Sequence, residues 1–244
     1  MRLAVISVVI PAFNEQERLP ATLEAVLRHL AQGDWSAFEV LVVDDGSTDR
    51  TRAIAEDFAR RHPEVHVLVN PGNRGKGFSV RHGMLRAEGD WVLFTDADLS
   101  APIVELDRLW RTAREHGADV VIGSRALDRS LIGVHQSVFR EQAGRIFNLM
   151  VRLLVGLPFW DTQCGFKLFS ARAAREVFRR VRLEGFGFDV EALFIARKLG
   201  FRVVEVGVRW DHVEGTKVKL WRDSVEMFLD LLRVRFNQLR GFYR

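Results

Sequence analysis

Three of the short β-branched runs in this sequence stop at acidic turns, and that regularity constrains the fold more than any other feature. Leu3 to Ile10 gives way to Pro11-Ala-Phe-Asn-Glu15, Phe38 to Val43 to Asp44-Asp45-Gly46-Ser47, and Trp91 to Thr95 to Asp96-Ala-Asp98. Runs this short and this apolar are expected for strands buried on both faces. Helical patterns separate them. Leu19, Leu23, Val26, Leu27 and Leu30 fall at helical spacing within 15–31, and Thr48-Asp49 can cap a helix carrying Ile54, Ala55 and Phe58. A strand over 65–69, helices over 77–88 and 103–116, and a strand over 119–122 continue the alternation. Strand–helix alternation of this kind predicts an α/β fold with right-handed crossovers and a mainly parallel sheet, Rossmann-like and flanked by helices. Ligands of such sheets sit at the carboxyl ends of the strands, where the acidic turns lie.

The second half reads differently. Residues 137–156 form an amphipathic helix with Phe139, Ile146, Phe147, Met150, Leu153 and Leu154 among Arg140, Arg145 and Arg152. The segment Asp161-Thr-Gln-Cys-Gly-Phe-Lys167 reads as a loop before a helix near 171–180; a helix over 188–199 and a strand over 202–210 follow. A last helix runs from about 222 to 240, with Trp221, Val225, Phe228, Leu229, Leu232 and Phe236 in one stripe that the reading turns toward the core, whereas 137–156 is assigned to an interface. No repeat or linker divides the chain, so one domain over 1–244 is expected, with two subregions, 1–125 and 126–244.

Hydrophobic residues make up 48% of the 244 and charged residues 28%, enough apolar material for a core and too much for a disordered chain. The single cysteine, Cys164, excludes an internal disulfide and a cysteine zinc cluster. Net charge is +4, and most of the cations are arginines, whose forks suit phosphates. A nucleic-acid partner is excluded by the lack of an RRM pattern, zinc fingers or a concentrated basic stripe. No apolar run reaches the roughly 18 residues of a membrane span. The expected location is cytoplasmic, peripheral at the cytoplasmic face of a membrane.

Two carboxylates at Asp96-X-Asp98 would repel one another unless a cation joins them. Oxygen donors suit Mg²⁺ or Mn²⁺, which bind one or two carboxylates together with substrate phosphates. Asp45 is placed to accept hydrogen bonds from a nucleobase, with Val43 lining the slot. Asn73-Arg-Gly-Lys-Gly77 has the look of a short phosphate loop opening a helix, whose amides favour anions; it is not a Walker A motif.

Taken in order and spacing, Pro11–Glu15, Val43–Thr51, Asn73–Gly77 and Asp96–Asp98 resemble the motifs of family-2 inverting glycosyltransferases with the GT-A fold. The resemblance implies a nucleotide-sugar donor held by Pro11, Phe13, Glu15, Val43, Asp45, Lys76, Asp96, Ala97 and Arg125, with the metal on Asp96 and Asp98. Further on, Asp161–Phe169, Phe188–Glu191 and Glu205–Trp210 with Glu214–Lys217 resemble the dolichyl-phosphate β-glucosyltransferase branch. Ser100 stands where the related mannosyl enzymes tend to carry a metal-binding Gln, which favours the glucosyl branch. That branch implies transfer of glucose from UDP-glucose to a polyprenyl phosphate, dolichyl or undecaprenyl; a mannosyl transfer from GDP-mannose and a sugar-hydroxyl acceptor are the alternatives. Eukaryotic members bear an N-terminal anchor and this sequence begins at its first strand, so a peripheral membrane contact is expected. Arg140 is the first choice to grip the acceptor phosphate, with Lys167 and Lys217 next. Asp98, Asp189, Arg140 and Asp161 are the catalytic candidates: Asp189 as base or as orienting group, Asp161 as a catalytic residue or as loop architecture.

Overall fold

The computed structural model describes residues 4–134, 136–213 and 220–244, the side chains of 138–140 and 220–224 excepted. Its centre is a seven-stranded sheet in the order β3-β2-β1-β4-β7-β5-β8. The strands are β1 (Val5–Ala12), β2 (Ala37–Asp44), β3 (Val65–Val69), β4 (Trp91–Thr95), β5 (Val120–Ser124), β7 (Phe166–Ser170) and β8 (Val203–Gly207). A parallel pair, β6 (Ile132–Val134) and β9 (Trp210–Asp211), stands apart from it. Helices α1 (Leu19–Gln32), α2 (Thr51–Arg61), α3 (Lys76–Arg86), α4 (Glu105–His116), α5 (Val138–Met150), α6 (Ala171–Phe178), α7 (Phe188–Lys198) and α8 (Leu220–Leu239) complete the described elements.

Side chains alternate across the pleat, so each strand feeds two cores. Ile6, Val8, Ile10, Val40, Val42 and Leu93 pack with α1, α2 and α4 on one face. Val9, Val43, Phe94, Ile122 and Phe169 pack with α3, α6 and α7 on the other. All pairings are parallel as expected, except those of β7.

That strand is the main departure from the sequence reading, which takes 161–167 as a loop leading to a helix. Phe166–Ser170 instead inserts between β4 and β5, antiparallel to both, with Thr95 opposite Phe166 and Ile122 opposite Lys167. Because β7 runs the other way, its beginning lies at the carboxyl ends of β4 and β5. The 161–165 segment is therefore delivered to the acidic edge of the sheet.

Of the two amphipathic helices, the last is also corrected. α5 continues as a π-helical turn, Val151–Val155, that packs against α8. Ile146, Leu149, Leu153 (74% exposed) and Leu154 face outward. On α8 the stripe assigned to the core is exposed: Val225, Phe228, Leu229, Leu232 and Phe236 point away, and the Trp221 side chain lies outside the described residues. The face that is buried is narrower and runs through Asp230, Leu231 and Val234. Apolar residues wrap more of this helix than one contact can cover, and the sequence pattern does not say which arc the contact takes. Among the described residues no helix is long and apolar enough to cross a membrane.

Phe169 is fully buried in β7 and meets Phe178 edge-on at 5.4 Å. Phe169→Ala is expected to cost about 3–5 kcal/mol of unfolding free energy, read from urea denaturation.

Candidate active site

Two turns at the ends of β1 and β2 are stitched to each other. Asn14, in the left-handed region at φ 52°, accepts the Thr48 amide at 2.8 Å, and the Asn14 amide donates to Ser47 Oγ at 3.0 Å. The Glu15 amide donates to Thr51 Oγ1 at 2.6 Å, and the Glu15 carboxylate pairs with Arg18. Pro11, Phe13 and Glu15 are partly exposed along this seam. Val43 is fully buried beneath α3, so its side chain belongs to the core and not to a slot wall. The Asp45 carboxylate is buried and already receives Asn70 Nδ2 at 2.8 Å, the Arg74 amide at 2.9 Å and the Gly75 amide at 2.8 Å. A carboxylate offers about four acceptor positions, which leaves one on Oδ2.

The Asn73–Gly77 loop is not an amide cradle for phosphate. Its Arg74 and Gly75 amides go to Asp45, and the Gly77 and Phe78 amides go to the Glu184 carbonyl at 2.7 and 3.2 Å. Its glycines serve a close approach instead. A Cβ at Gly75 would stand 2.6 Å from the Glu184 oxygen, and one at Gly77 2.5 Å from the Leu183 oxygen. What the loop presents is Lys76, whose Nζ lies 2.6 Å from Asp96 Oδ1. Burial lowers the Lys76 pKa, but Asp96, Asp189 and Asp98 outweigh it and the net shift is upward.

Asp96 and Asp98 flank the turn after β4, and α1 fixes that turn: Thr22 Oγ1 donates to the Ala97 carbonyl at 2.6 Å. Asp98 Oδ1 accepts the Ser100 amide at 2.9 Å, and Ala97 is buried. Gly165 comes up against the Asp96 carboxylate so closely that a Cβ there would lie 2.0 Å from Oδ2. Among the described residues no cluster of three His, Cys, Asp or Glu side chains is arranged to hold a metal, so Asp96 and Asp98 are the carboxylates the turn offers.

The 161–165 segment and the end of β5 form the other wall. Asp161 Oδ2 accepts both the Arg125 amide at 3.0 Å and Nε at 2.6 Å, while Oδ1 accepts Nη2 at 2.8 Å and the Gln163 amide at 3.1 Å. Burial pushes this carboxyl up, but the Arg125 charge and hydrogen bonds reverse the effect and hold it at about 2. Glu205 on β8 accepts the Trp160 and Asp161 amides at 2.9 and 2.8 Å, fixing the turn from below. Asn148 on α5 accepts both the amide and the hydroxyl of Thr162. Asp161 is thus fully occupied as the clamp on Arg125.

Lys167, expected at the acceptor, is instead 1% exposed; its Nζ donates to Asp189 Oδ1 and the Cys164 carbonyl, each at 2.6 Å. Asp189 is buried, and its pKa is raised by burial against the opposing pull of Lys167 and Lys76. Cys164 is buried beside them and its thiol is pushed up to about 12, mainly by burial. The Arg140 side chain and Lys217 lie outside the described residues.

Beyond Arg125 a pocket opens between β5 and α5. Arg125, Arg129 and Arg145 line it with Trp160 and Trp210, and Arg129 pairs with Glu141 at 2.7 Å. Neither Arg129 nor Arg145 is singled out as a phosphate ligand by the sequence, where they are ordinary members of an arginine-rich stretch. Glu205 and Gly165 fall inside segments of the resemblance, but only the packing gives them roles.

A mainly parallel sheet with acidic turns at its carboxyl edge is an architecture that binds ligands at that edge, and comparison with known proteins gives the family. The model of glycosyl transferase family 2 matches residues 7–178, and the chain belongs to that family; it is a glycosyltransferase. It is 37% identical over 251 residues to a dolichyl-phosphate beta-glucosyltransferase of Drosophila melanogaster, covering 98% of this chain and 77% of that protein. The enzymes of the same name from Homo sapiens (98% and 77% covered) and Dictyostelium discoideum (98% and 76%) are 33% and 32% identical. The fold matches glucosyl-3-phosphoglycerate synthase from Mycobacterium tuberculosis, solved with Mn²⁺, UDP and glucosyl-3-phosphoglycerate (TM-score 0.66, 21% identity, 95% and 80% covered). It also matches mannosyl-3-phosphoglycerate synthase from Rubrobacter xylanophilus (TM-score 0.67, 20% identity, 98% and 74% covered).

Asp161 has a folded pKa of about 2, below its unfolded value of about 3.9. Its contribution to stability is complete above that unfolded value and is lost as pH falls through the folded one. Asp161→Asn is therefore expected to destabilise at neutral pH, and the deficit relative to wild type should narrow as pH falls from about 4 toward 2, read by urea melts.

Proposed function

We propose that this glycosyltransferase transfers glucose from UDP-glucose to a polyprenyl phosphate, dolichyl or undecaprenyl, at a membrane surface. The observation that carries the reading is the arginine pocket beside the acidic edge, whose α5 wall bears the exposed row Ile146, Leu149 and Leu153. A phosphate suits the pocket and a hydrocarbon chain suits the row. A small soluble acceptor would make no use of the second. The names of the relatives favour glucose as the sugar and dolichyl phosphate as the acceptor, and the UDP bound in the glucosyl-3-phosphoglycerate synthase favours a uridine donor.

In this reading the nucleoside lies along the seam of Pro11, Phe13 and Glu15, with the remaining Oδ2 position of Asp45 turned to the base. Asp96 and Asp98 fit a Mg²⁺ or Mn²⁺ ion, since such ions take one or two carboxylates and complete their shell with phosphate oxygens. The ion would act as a Lewis acid on the departing diphosphate. Lys76 adds a fixed positive charge at the same place.

Arg125, locked by Asp161, presents its guanidinium between donor and acceptor, and Arg129 and Arg145 hold the acceptor phosphate. Arg140, on the sequence reading, is a further candidate for the same phosphate. A phosphate monoester has a second pKa of about 6 and is already mostly dianionic near neutrality, so its oxygen attacks the anomeric carbon without a proton being removed. The bond from that carbon to the diphosphate oxygen breaks as the new one forms, inverting the centre. Asp161 and Asp189 then act as positioning residues, the first for Arg125 and the second for Lys167. Orientation and charge neutralisation supply most of the rate.

Both α5 and α8 carry exposed apolar rows, 151–155 packs on α8, and with Arg145, Arg152 and Arg235 these rows suit an anionic lipid surface. Purified protein should yield glucosyl polyprenyl phosphate by mass spectrometry from UDP-glucose and Mn²⁺, and none from GDP-mannose, from 3-phosphoglycerate as acceptor, or after EDTA. Asp98→Ala should abolish product. Arg145→Ala should raise KM for the lipid phosphate roughly tenfold, the worth of a charge-assisted hydrogen bond. Product from GDP-mannose alone would move the assignment to a mannosyl transferase.

A further inference from the structure

Lys76 is held in place from an unexpected direction. The 181–187 segment, between α6 and α7, forms the floor on which the Asn73–Gly77 loop rests: the Gly77 and Phe78 amides bond to the Glu184 carbonyl, and Gly75 and Gly77 have no room for a Cβ above Leu183 and Glu184. This floor has no regular structure of its own. Its shape comes from Glu191 on α7, which is fully buried and accepts the Arg182 and Leu183 amides, both at 2.8 Å, on Oε2. The other oxygen of Glu191 accepts the hydroxyl of Tyr243, 52 residues away.

Tyr243 is the one tyrosine of the chain and is fully buried. Its ring meets Phe194 at 5.9 Å, and its oxygen accepts Asn237 Nδ2 at 3.2 Å. A buried carboxylate needs every donor it has. Removal of the phenol leaves Glu191 with two amides that are free to relax outward with the floor. Arg182 adds a second tie by stacking its guanidinium on Phe242 at 4.0 Å.

We infer that Tyr243 and Glu191 are positioning residues of the donor site, acting through the 181–187 floor to fix Lys76 against Asp96. The functional part of the inference rests on the donor reading given above. Among the described residues no hydrogen bond or ion pair joins Tyr243 to Lys76 or Asp96, so the effect runs through the Glu191 hydrogen bonds and the main chain of the floor.

Two measurements separate the relay from the donor reading. Hydrogen–deuterium exchange with mass spectrometry compares wild type and Tyr243→Phe, which keeps the ring. Peptides covering 74–80 and 181–187 should exchange roughly fivefold to tenfold faster in the variant, the worth of one hydrogen bond to a charged group, while β1 and β2 stay unchanged. Glu191→Gln, which keeps an oxygen acceptor for the amides, should show the same pattern more weakly and covers the case that Tyr243→Phe does not fold. Calorimetry with UDP and Mn²⁺ follows on wild type, Tyr243→Phe, Lys76→Ala and the double variant. Tyr243→Phe should weaken UDP several-fold in the wild-type background and leave it unchanged in the Lys76→Ala background, because residues acting through one another are not additive. Unchanged exchange at 74–80 overturns the relay, and equal weakening in both backgrounds overturns its route through Lys76. Failure of wild type to bind UDP would sink the donor reading, with the exchange result still deciding the relay.

Discussion

Carboxylates gathered at one edge of a sheet are tolerable only if each meets a cation or a set of hydrogen-bond donors, since a buried charge without a partner is far costlier than a paired one. Asp45 meets the second condition through Asn70 and two backbone amides, and three other carboxylates meet the first. Asp96 meets Lys76, Asp161 meets Arg125, and Asp189 meets Lys167. Of the three, the Arg125–Asp161 pair ties the end of β5 to the segment before β7. Lys76 leads α3, Arg125 follows β5, and Lys167 stands in β7 with its ammonium 5.0 Å over the Phe94 ring. Loss of Arg125 or Lys167 would leave a buried acid unpaired, and the neighbouring turns would have to open to hydrate it.

The reversed strand makes this assembly geometrically available. Parallel strands bring only their carboxyl ends to a ligand edge, and their beginnings lie at the far side. β7 contributes its beginning, so the segment before it reaches the edge as well, with Asp161 placed for Arg125 and Gly165 against Asp96. One antiparallel insertion thus doubles the kinds of loop that converge on the site.

How much of this could be read in the sequence follows from range. The strands β1 to β5 and helices α1 to α4 announce themselves through local periodicity and acidic stops, and their bounds agree to within a few residues. Phe166–Ser170 escaped because it has a lysine at its second position, no turn before Ala171, and no helix-linked crossover to mark it. Lys167 looked like an acceptor ligand for the same reason: a lysine in a loop is solvated, and one in a central strand needs a buried partner. The donor-side motifs were legible as residue types, but the job of the glycines was not, because the surface they approach lies more than a hundred positions further along. Arcs of helices are similarly hidden. The α8 pattern supports several faces, and only the contact with 151–155 and α7 selects Leu231 and Val234.

Cys164 lies in the middle of the site wall, fully enclosed, with its thiol kept protonated by burial. Thiolate is the reactive form of cysteine, so the native chain presents almost nothing to maleimides or methanethiosulfonates. The protein is thereby a silent background for single-cysteine chemistry. A cysteine placed on the outer arc of α5 or α8 would carry a spin label or an environment-sensitive dye as the only modified position, without any need to remove the native thiol and disturb the wall that surrounds Asp96.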